Sequence, residues 1–458
     1  VHMELGQSKP TLDLFCRGKE LIGPRNYSSS RQNQEKMVAL MPLPRAGSLF
    51  LHSLLDGHPE ISTTPGVYLK GFFGENVWEK LNSMSSMGNS KKKLVENFCY
   101  HYDILFDARS KTQVFGDPFG ARVMLGEVSG MTTMGKTGNQ WLTLDRDQFS
   151  NHLLGLLQKT GTLNPQVFFR LIHKAYDQTL MRAEKKKVLF YHIHNPDHYE
   201  ISHFINWHPH AAFLFIMREP VQGIESWINS VFPQADQLKQ SDTEKKDQAV
   251  LSAYSKINKQ VRDYFRYLSH PVFQLNPTWA VRLEDVKRLP RKTMPALAKW
   301  MGITPRDCLY KSSFQDLEYS GPFSTTNPGL RGFDTSNLDR RQKPLFTKKD
   351  QFVFKTLFYP SRTKFGYAEQ NDAIFRKNLS VIKSACTQPL DFEEALFQHH
   401  SGGVKFLKNL DAYQGLHTYL KTKSDLLQDD PSTQVGNISL IPLEGSWQSN
   451  DSKPKKRI

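Results

Sequence analysis

The sequence predicts an α/β fold: a three-layer sandwich in which a central, mostly parallel sheet is flanked by helices. Four short apolar runs carry this prediction, and segments with helical spacing of apolar residues alternate with most of them. The runs lie at 37–41, 187–195, 211–217 and 279–286. Strands that alternate with helices are typical of parallel sheets, because the helix between two parallel strands returns the chain to the end of the sheet where the previous strand began.

The first run, Met37–Met41, opens the stretch around which the rest of the chain is organised. Its length suits a buried strand. Pro42 and Pro44 follow, and they end the strand because proline has no backbone N–H to donate. Apolar residues then recur at helical spacing until Gly57, which is a helix stop. The stretch therefore predicts a strand, a tight turn and a helix.

The turn between this strand and helix, residues 45–48, has the composition of an anion-binding loop. A strand, a glycine turn and a helix start place backbone N–H groups around an anion. Arg45 adds a fixed positive charge with a forked donor, and Ser48 adds a hydroxyl. The sequence predicts a phosphate-binding turn here. An ordinary βα turn with a surface arginine is the alternative.

A chain of 458 residues is long enough for one large α/β domain with extensions. We predict a polar N-terminal arm over 1–36, a main domain over 37–366, a helical C-terminal extension over 367–430 and a disordered basic tail over 431–458. A long loop at 320–341 is rich in Gly, Pro, Ser, Thr and Asn. Loops of this length are usually functional or disordered.

The net charge of +15, from 60 Lys and Arg against 45 Asp and Glu, favours an anionic ligand or surface. The lysine runs at 91–93 and 185–187 are short and are interpreted as solvated faces, so no nucleic-acid partner is predicted. The 4 cysteines lie far apart and indicate neither a zinc site nor a disulfide framework, which fits a cytoplasmic protein. No run reaches the ~18 apolar residues of a membrane helix, and no secretory signal is evident.

Residues Gly130–Thr137 match the Walker A pattern of a glycine, four residues and Gly-Lys-Thr. A Walker A loop must open directly into an apolar helix. Here residues 141–144 look like a strand, and the next helix begins only near Asp145, a good N-cap. We therefore interpret 122–144 as a hairpin with a glycine-rich turn, and a P-loop NTPase or kinase remains the alternative.

Two later strands end in residues that suit ligand binding. Arg218 follows the third run, and Ser226 stands eight residues later, in the second turn of a predicted helix. His192 and His194 lie two residues apart in the second run, so their side chains point to the same face. Because α/β sheets bind ligands at the carboxyl ends of their strands, these residues are expected near the Arg45 turn.

Taken in order, these motifs resemble those of the PAPS-dependent sulfotransferases, which transfer a sulfuryl group from 3′-phosphoadenosine-5′-phosphosulfate (PAPS). The resemblance spans most of the main domain and mixes cytosolic-type with Golgi- and bacterial-type features. Four segments carry it: Pro44–Ser48, like the family's 5′-phosphosulfate loop; Arg218 to Ser226, like its 3′-phosphate motif; Tyr191–Pro196, like its stretch with the catalytic histidine; and Leu283–Lys287, like its Y-E-D-L-K segment.

The resemblance implies a role for each matching residue. His194 would be the general base, His192 would lie beside it where cytosolic members have a lysine, and Arg45 would act on the leaving phosphate oxygen. The implied cofactor contacts are Arg45, Ala46, Gly47, Ser48, Leu49 and Phe50 in the first loop, Arg218 and Ser226 at the 3′-phosphate, and Arg331 and Gly332 in the late loop that closes over it. PAPS is the implied cofactor, PAP its desulfated product, and no metal is implied.

Two departures from the family leave the acceptor open. His192 in place of a lysine weakens the positive charge at the transferred sulfonate unless it is protonated. Residues 62–66 lack the catalytic glutamate that some Golgi-type members carry, and Glu75 is kept as an alternative base. The implied partner is a small-molecule, glycan or peptide acceptor with a hydroxyl or an amine, and no oligomeric state is indicated. A non-catalytic nucleotide-binding protein is the remaining alternative.

Overall fold

A computed structural model describes residues 35–43, 45–83, 90–113, 122–182, 184–194, 198–232, 242–321, 332–339, 344–431 and 435–443. Pro44, Arg331, the predicted N-terminal arm up to residue 34 and the end of the chain from residue 444 lie outside the described residues.

A parallel sheet forms the centre of the structure and confirms the predicted α/β fold. The strands are β1 (Lys36–Pro42), β2 (Ile61–Ser62), β3 (Thr112–Gln113), β4 (Arg122–Val123), β5 (Val188–His192), β6 (Ala212–Met217), β7 (Thr278–Arg282), β8 (Ser313–Phe314), β9 (Leu317–Glu318) and β10 (Ile438–Leu440). Among the described residues, a 6-stranded sheet runs in the order β10-β7-β6-β1-β5-β2, and all its neighbours are parallel. The pairs β3–β4 and β8–β9 are antiparallel and separate.

Strand β1 lies between β5 and β6 in this sheet. Its residues from Met37 to Met41 are buried, which explains the continuous apolar run, because a central parallel strand is covered on both faces. In the register, Leu40 stands beside His192 of β5, and Pro42 stands beside Ile216 of β6. Pro42 is the last residue of the strand, where its missing N–H interrupts little of the ladder.

Helices occupy most of the remaining described chain. They are α1 (Ser48–Ser53), α2 (Val77–Asn82), α3 (Ser90–His101), α4 (Leu125–Ser129), α5 (Arg146–Gln158), α6 (Pro165–Thr179), α7 (His198–Trp207), α8 (Pro220–Val231), α9 (Thr243–Ser269), α10 (Val272–Leu275), α11 (Leu283–Arg288), α12 (Pro290–Met301), α13 (Ser336–Asp339), α14 (Lys348–Leu357), α15 (Tyr359–Lys364), α16 (Asp372–Ala385), α17 (Asp391–Phe397), α18 (Gly403–Leu407) and α19 (Asp411–Asp429). Short 3₁₀ turns lie at Asp103–Leu105 and Asp307–Tyr310. None of the helices in the described part of the chain combines the length and the apolar character that crossing a bilayer requires.

Local sequence explains where several helices begin. The side chain of Asp145 accepts a hydrogen bond from the backbone N–H of Gln148 at 2.9 Å, as expected of the predicted N-cap of α5. Asn164 caps α6 in the same way, and Pro165 takes the first helical position, where a missing N–H has no cost.

Helices cover both faces of the sheet. His52 of α1 packs edge-on against Phe190 with 5.0 Å between ring centroids, so α1 covers the face to which Phe190 and His192 point. Phe204 of α7 packs against Tyr191 at 5.8 Å, on the opposite face. The three layers agree with the predicted sandwich.

The predicted C-terminal segments are packed onto the main domain. Helices α17 and α19 lie against α9, and α16 lies against α14. Beyond them, β10 pairs in parallel with β7, with Ser439 beside Trp279. Residues 438–440 therefore differ from the disordered tail predicted over 431–458, because they complete one edge of the sheet.

Candidate active site

The loops that follow β1, β5 and β6 meet at one edge of the sheet. These three strands are parallel neighbours, so their carboxyl ends lie side by side. From β1 the chain continues to β2 on one side of the sheet, whereas from β6 it continues to β7 on the other. The gap between β1 and β6 is therefore the switch point at which α/β sheets bind ligands. The Arg45 loop and Arg218 flank this gap.

The backbone of the Arg45 loop adopts an unusual conformation. Arg45 has φ of +55° and Gly47 has φ of +79°, both in the left-handed region. This region costs an L-residue ~1–2 kcal/mol, so the surroundings of Arg45 impose the conformation. A Cβ added to Gly47 would lie 2.8 Å from Cδ1 of Leu283, the first residue of α11. Gly47 is thus required by both its backbone and its contact with the 283–287 motif.

Arg45 and Arg218 place two guanidinium groups at the switch point. Nη1 of Arg218 donates a hydrogen bond to the backbone carbonyl of Arg45 at 3.4 Å. Desolvation by the surrounding protein and, secondly, the charge of Arg218 lower the pKa of Arg45, yet a guanidinium remains charged at neutral pH. Within the described residues, the Arg45 side chain has no hydrogen-bond or ion-pair partner. Two neighbouring cations of this kind are suited to an anionic ligand.

Acidic side chains lie close enough to Arg218 to affect its pKa. Desolvation lowers the pKa of Arg218, and the charges of Glu284 and Glu219 oppose that effect. Glu284 is fixed at both oxygens, since Oε1 accepts from the N–H of Glu219 at 3.3 Å and Oε2 accepts from the hydroxyl of Tyr367 at 2.9 Å. Glu219 in turn pairs with Arg362 at 2.7 Å. The end of β6 is therefore held by a network of ion pairs and hydrogen bonds.

Phe50 connects the first loop to the late loop. Its ring lies 5.5 Å from that of Phe333 in an edge-to-face arrangement. Lys287, from the 283–287 motif, places Nζ 4.7 Å from the centroid of Phe50. The same Nζ donates to the carbonyls of Gly332 at 3.3 Å and Asp334 at 2.8 Å. The structure thus places Gly332 and Phe333 beside Lys287 and Phe50.

The remaining predicted cofactor contacts differ in their burial and in the element that carries them. Ala46 is buried, Ser48 occupies the first position of α1, and Leu49 is half-buried. Ser226 lies in the second turn of α8, half-buried, and its hydroxyl forms no hydrogen bond within the described residues. Arg331 is outside those residues, so its predicted role stays a prediction.

Three imidazoles form a row that begins in α1. His192 lies between His52 and His194, at centroid distances of 5.7 and 5.3 Å, and each pair is edge-to-face. Nε2 of His52 is 2.8 Å from Oγ1 of Thr63. Because the Thr63 hydroxyl donates to the carbonyl of Thr64 at 3.3 Å, it accepts from His52, whose proton is therefore on Nε2.

Burial keeps His192 neutral. Its side chain is 2% exposed, and neither ring nitrogen has a hydrogen-bond partner among the described residues. Desolvation, followed by the proximity of His194 and His52, lowers the pKa of His192 well below 6.5. The neutral ring does not supply the positive charge that a lysine would provide at this position.

His194 stands at the outer end of the row and is partly exposed. Desolvation and, to a smaller extent, the charge of Lys70 lower the pKa of His194 to about 3. The ring is therefore neutral at physiological pH, which is the form that accepts a proton. Lys70 follows Leu69, whose carbonyl accepts a hydrogen bond from the hydroxyl of Tyr191 at 3.0 Å.

The Gly130–Thr137 segment lacks the context of a nucleotide-binding loop. Mutual backbone hydrogen bonds between Met134 and Gln140, at 2.6 and 3.1 Å, close it as a turn, and Lys136 is exposed. Helix α5 begins well beyond the turn, so no helix N-terminus follows the motif. The hairpin predicted over 122–144 is limited to this turn, because α4 occupies part of that range.

Glu75, the alternative base, does not belong to the row of imidazoles. It is exposed at the rim of a cleft that Trp78 and Tyr199 also line. Within the described residues, no three His, Cys, Asp or Glu side chains are arranged as a metal site requires.

Sequence reasoning missed three residues of the site. Glu284 lies inside the Leu283–Lys287 motif, and that motif is the signal that could have found it. Lys70 lies in an aromatic stretch without a motif. His52 has the helical spacing of an ordinary core residue, and only its contact with β5 reveals its place in the row.

Comparison with known proteins yields no sequence relative: no family model matches the chain, and no curated protein sequence matches it. Among solved structures, the chain is similar to the sulfotransferase domain from the Synechococcus PCC 7002 olefin synthase, with 14% identity, a TM-score of 0.32 and coverage of 70% of this chain and 93% of that one. It is also similar to the sulfotransferase domain from the curacin biosynthetic pathway, with 13% identity, a TM-score of 0.34 and coverage of 68% and 92%. Values this low carry no argument about activity.

Proposed function

We propose that this chain is a sulfotransferase that moves a sulfuryl group from PAPS to a hydroxyl or an amine of an acceptor. One observation carries the proposal: Arg45 and Arg218 meet at the switch point of the sheet, and a neutral His194 follows the neighbouring strand at the same edge. These three residues are the ones that the sequence motifs select, and they are far apart in the chain.

The donors at the switch point fit a ligand with two phosphate groups. Arg45 follows β1 and Arg218 follows β6, so the 5′- and 3′-phosphates of one nucleotide would each have a cation. Gly47 has no side chain, so the backbone of the loop can approach a phosphate closely. Phe50 and Phe333 offer aromatic surface for the adenine.

Sulfuryl transfer requires the protein mainly to position the reactants and to stabilise the developing charge. Sulfuryl transfer is an in-line displacement, similar in logic to phosphoryl transfer, and PAPS supplies the activated sulfonate. Arg45 would stabilise the negative charge that develops on the leaving phosphate oxygen. The sulfonate carries less charge than a γ-phosphate, so the reaction makes no demand for Mg²⁺.

His194 would take the proton of the acceptor. Its imidazole is held neutral, and neutral His192 packs against its ring, so a second positive charge does not form beside it. The charge of Lys70 also lowers the pKa of His194. General-base catalysis of this kind typically contributes ~10²–10⁴-fold to the rate.

Binding of PAP, the desulfated cofactor, tests the proposal before any acceptor is known. In a metal-free buffer with EDTA, PAP at 100 times its dissociation constant should stabilise the protein by about 2.7 kcal/mol, seen as a higher melting temperature. Arg45→Ala and Arg218→Ala should abolish this shift. Arg376→Ala, at an exposed arginine of α16, is the matched control and should retain it.

The opposite result would overturn the proposal. If PAP gives no shift while Mg·ATP does, the protein is a nucleotide-binding protein of another kind. If PAP binds but no acceptor is sulfated in a broad screen of phenols, alcohols, sugars, amines and peptides with ³⁵S-labelled PAPS, the non-catalytic alternative gains support.

A further inference from the structure

A cleft of about 350 Å³ lies outside the proposed active site. Its walls come from the segment around α2, from the start of α6 and from α7. The lining residues that matter here are Glu75, Trp78 and Glu79 on one side and Tyr199, His203 and Trp207 on the other. The cleft has the size of a small-ligand pocket.

The cleft is on the opposite face of the sheet from the row of imidazoles. Phe73, which forms part of its floor, packs against Tyr191 with 5.8 Å between ring centroids. Tyr191 and His192 are consecutive in β5 and therefore point to opposite faces. A ligand in this cleft would be separate from one at the Arg45 loop.

The aromatic walls are supported by the core. Phe72 and Phe73 are buried beneath the cleft and pack edge-to-face at 5.0 Å. Trp78 is half-buried and rests on Phe168 at 5.8 Å. The indole of Trp78 is therefore held from behind, while its remaining surface faces the cleft together with Tyr199.

The charge of the cleft is opposite to that of the chain. Glu75 and Glu79 are exposed, and neither side chain has an ion-pair or hydrogen-bond partner among the described residues. The described lining contains no lysine or arginine, although the chain has a net charge of +15. His203 is the one basic side chain of that described lining.

We propose that this cleft binds a ligand with a quaternary or tertiary ammonium group. The faces of tryptophan and tyrosine attract such a cation through their quadrupoles, and the two carboxylates add a favourable field that salt screens. The apolar methyl groups of the ammonium would lie against the indoles, while the charge would be neutralised by Glu75 and Glu79. The proposal does not depend on sulfuryl transfer.

A matched pair of probes tests it. Choline and 3,3-dimethylbutan-1-ol have the same shape, but only choline is charged. In calorimetric or ligand-observed NMR titrations of the full chain at pH 8 and low salt, choline should bind at least ~5-fold more tightly than the neutral alcohol, as a cation–π contribution of ~1 kcal/mol requires. The difference should shrink as salt is added.

Two substitutions test whether choline binds in this cleft. Trp78→Leu should weaken choline binding at least ~5-fold, since tryptophan is the best cation–π partner. Because this change also removes a contact with Phe168, Glu75→Gln is the second variant, and its exposed position should leave the fold intact. Glu369→Gln, at an exposed glutamate elsewhere, is the control and should bind choline as the parent chain does.

Three outcomes would overturn the proposal. The first is equal affinity for the two probes, which would show that the cleft binds apolar groups without preferring a cation. The second is no binding of choline at all. The third is choline binding that is unchanged in both Glu75→Gln and Trp78→Leu. PAP binding in the same variants should persist, which keeps this result independent of the proposed sulfotransferase activity.

Discussion

Nη1 of Arg218 donates a hydrogen bond to the backbone carbonyl of Arg45 at 3.4 Å. The contact joins the end of β6 to the loop after β1, so Arg218 orders the loop from which the Arg45 side chain extends. A ligand that engages both guanidinium groups would therefore find the backbone of the Arg45 loop held in place before it binds, which reduces the ordering cost of association.

Substitution of Gly47 should damage the loop in two ways. Gly47→Ala places a Cβ 2.8 Å from Cδ1 of Leu283 and forces an L-residue to φ of +79°. We expect the dissociation constant for PAP to rise at least ~10-fold, because strain of ~1–2 kcal/mol is added to the clash. Calorimetric titration measures the change.

Gly302→Ala is the matched control for Gly47→Ala. Gly302 has φ of +80°, and a Cβ there would meet nothing within 4 Å. It should lower the melting temperature but leave PAP affinity unchanged. Adding Leu283→Ala to Gly47→Ala should restore part of the affinity; no recovery would show that the contact with Leu283 is unimportant.

Loss of His194 should separate binding from turnover. His194→Ala removes the proposed base but no group that would contact the phosphates, so the melting-temperature shift with PAP should persist. Turnover should fall ~10²–10⁴-fold. Full activity of the variant would exclude His194 as the base.

The activity of the parent chain should be insensitive to mild acid. The pKa of His194 is lowered to about 3, so the proposed base stays neutral far below pH 6.5. The rate with a neutral acceptor at saturating PAPS should therefore not halve near ~pH 6.5, where an unperturbed histidine would protonate. The charge of Lys70 is a smaller cause of the lowered pKa of His194. Lys70→Gln should therefore move the acidic limb of the pH–rate profile to higher pH by less than ~1 unit. A limb that begins near 6.5 in the parent chain would contradict the assignment.

Stability, unlike activity, should fall as the solution becomes acidic. Desolvation lowers the pKa values of His52, His173, His194 and His208 to about 3 and that of His192 further. Below an unfolded-state value of ~6.5, the unfolded chain binds protons that the folded chain does not. Each such group then costs up to ~1.4 kcal/mol per pH unit. Urea denaturation between pH 7.5 and 5 should show the loss.

Two buried carboxyls act in the opposite direction. Desolvation raises the pKa values of Asp177 and Asp350 to about 6, so the folded chain binds protons more readily than the unfolded chain, and this gains stability as the pH falls through that range. Five histidines outweigh two carboxyls, so the stability still falls as the pH is lowered from 7.5 to 5. A flat stability profile from pH 7.5 to 5 would show that these rings are not kept neutral. His208→Phe should reduce the slope without touching the proposed site.

A buried ion pair behind α1 should be important for stability. Asp56 is 1% exposed, pairs with Arg182 at 3.0 Å and accepts from the N–H of Gln315 at 2.9 Å. Asp56→Ala leaves the guanidinium of Arg182 without its carboxylate partner and should cost about 3–5 kcal/mol in the free energy of unfolding. Asp425→Ala removes the exposed pair with Lys383, whose two side chains are 48% and 40% exposed, and should cost no more than ~1 kcal/mol. Equal losses in the two variants would contradict the role of burial.

Local patterns in the sequence predicted the parts of the fold that local physics controls. The apolar run at 211–217 became β6, shorter by one residue, and Asp145 became the cap of α5. The run at 187–195 was predicted too long, because the pairing with β1 ends at His192. Strand β10 has three residues and no period to detect, and its existence depends on a partner strand far away in the chain.

The candidate site likewise contains residues that the sequence predicts and residues that it does not. Arg45, Arg218 and Gly47 stand in motifs with fixed spacing, so the sequence alone selected them. Lys70 and His52 carry no motif, since their roles arise from contacts that only the folded chain creates. His192 illustrates the limit: its position on the strand was predictable, but its neutral state depends on burial between two other rings.

The position of β10 has a consequence for biosynthesis. The edge of β7 has exposed N–H and C=O groups until Ile438–Leu440 are available, and the helices from α11 to α19 separate the two strands in the chain. During translation the sheet therefore carries an open edge while all of those helices emerge, and an open edge is a template for pairing with other chains. Nascent chains that stall before residue 438 should associate with one another or recruit chaperones, whereas chains that extend past residue 443 should not.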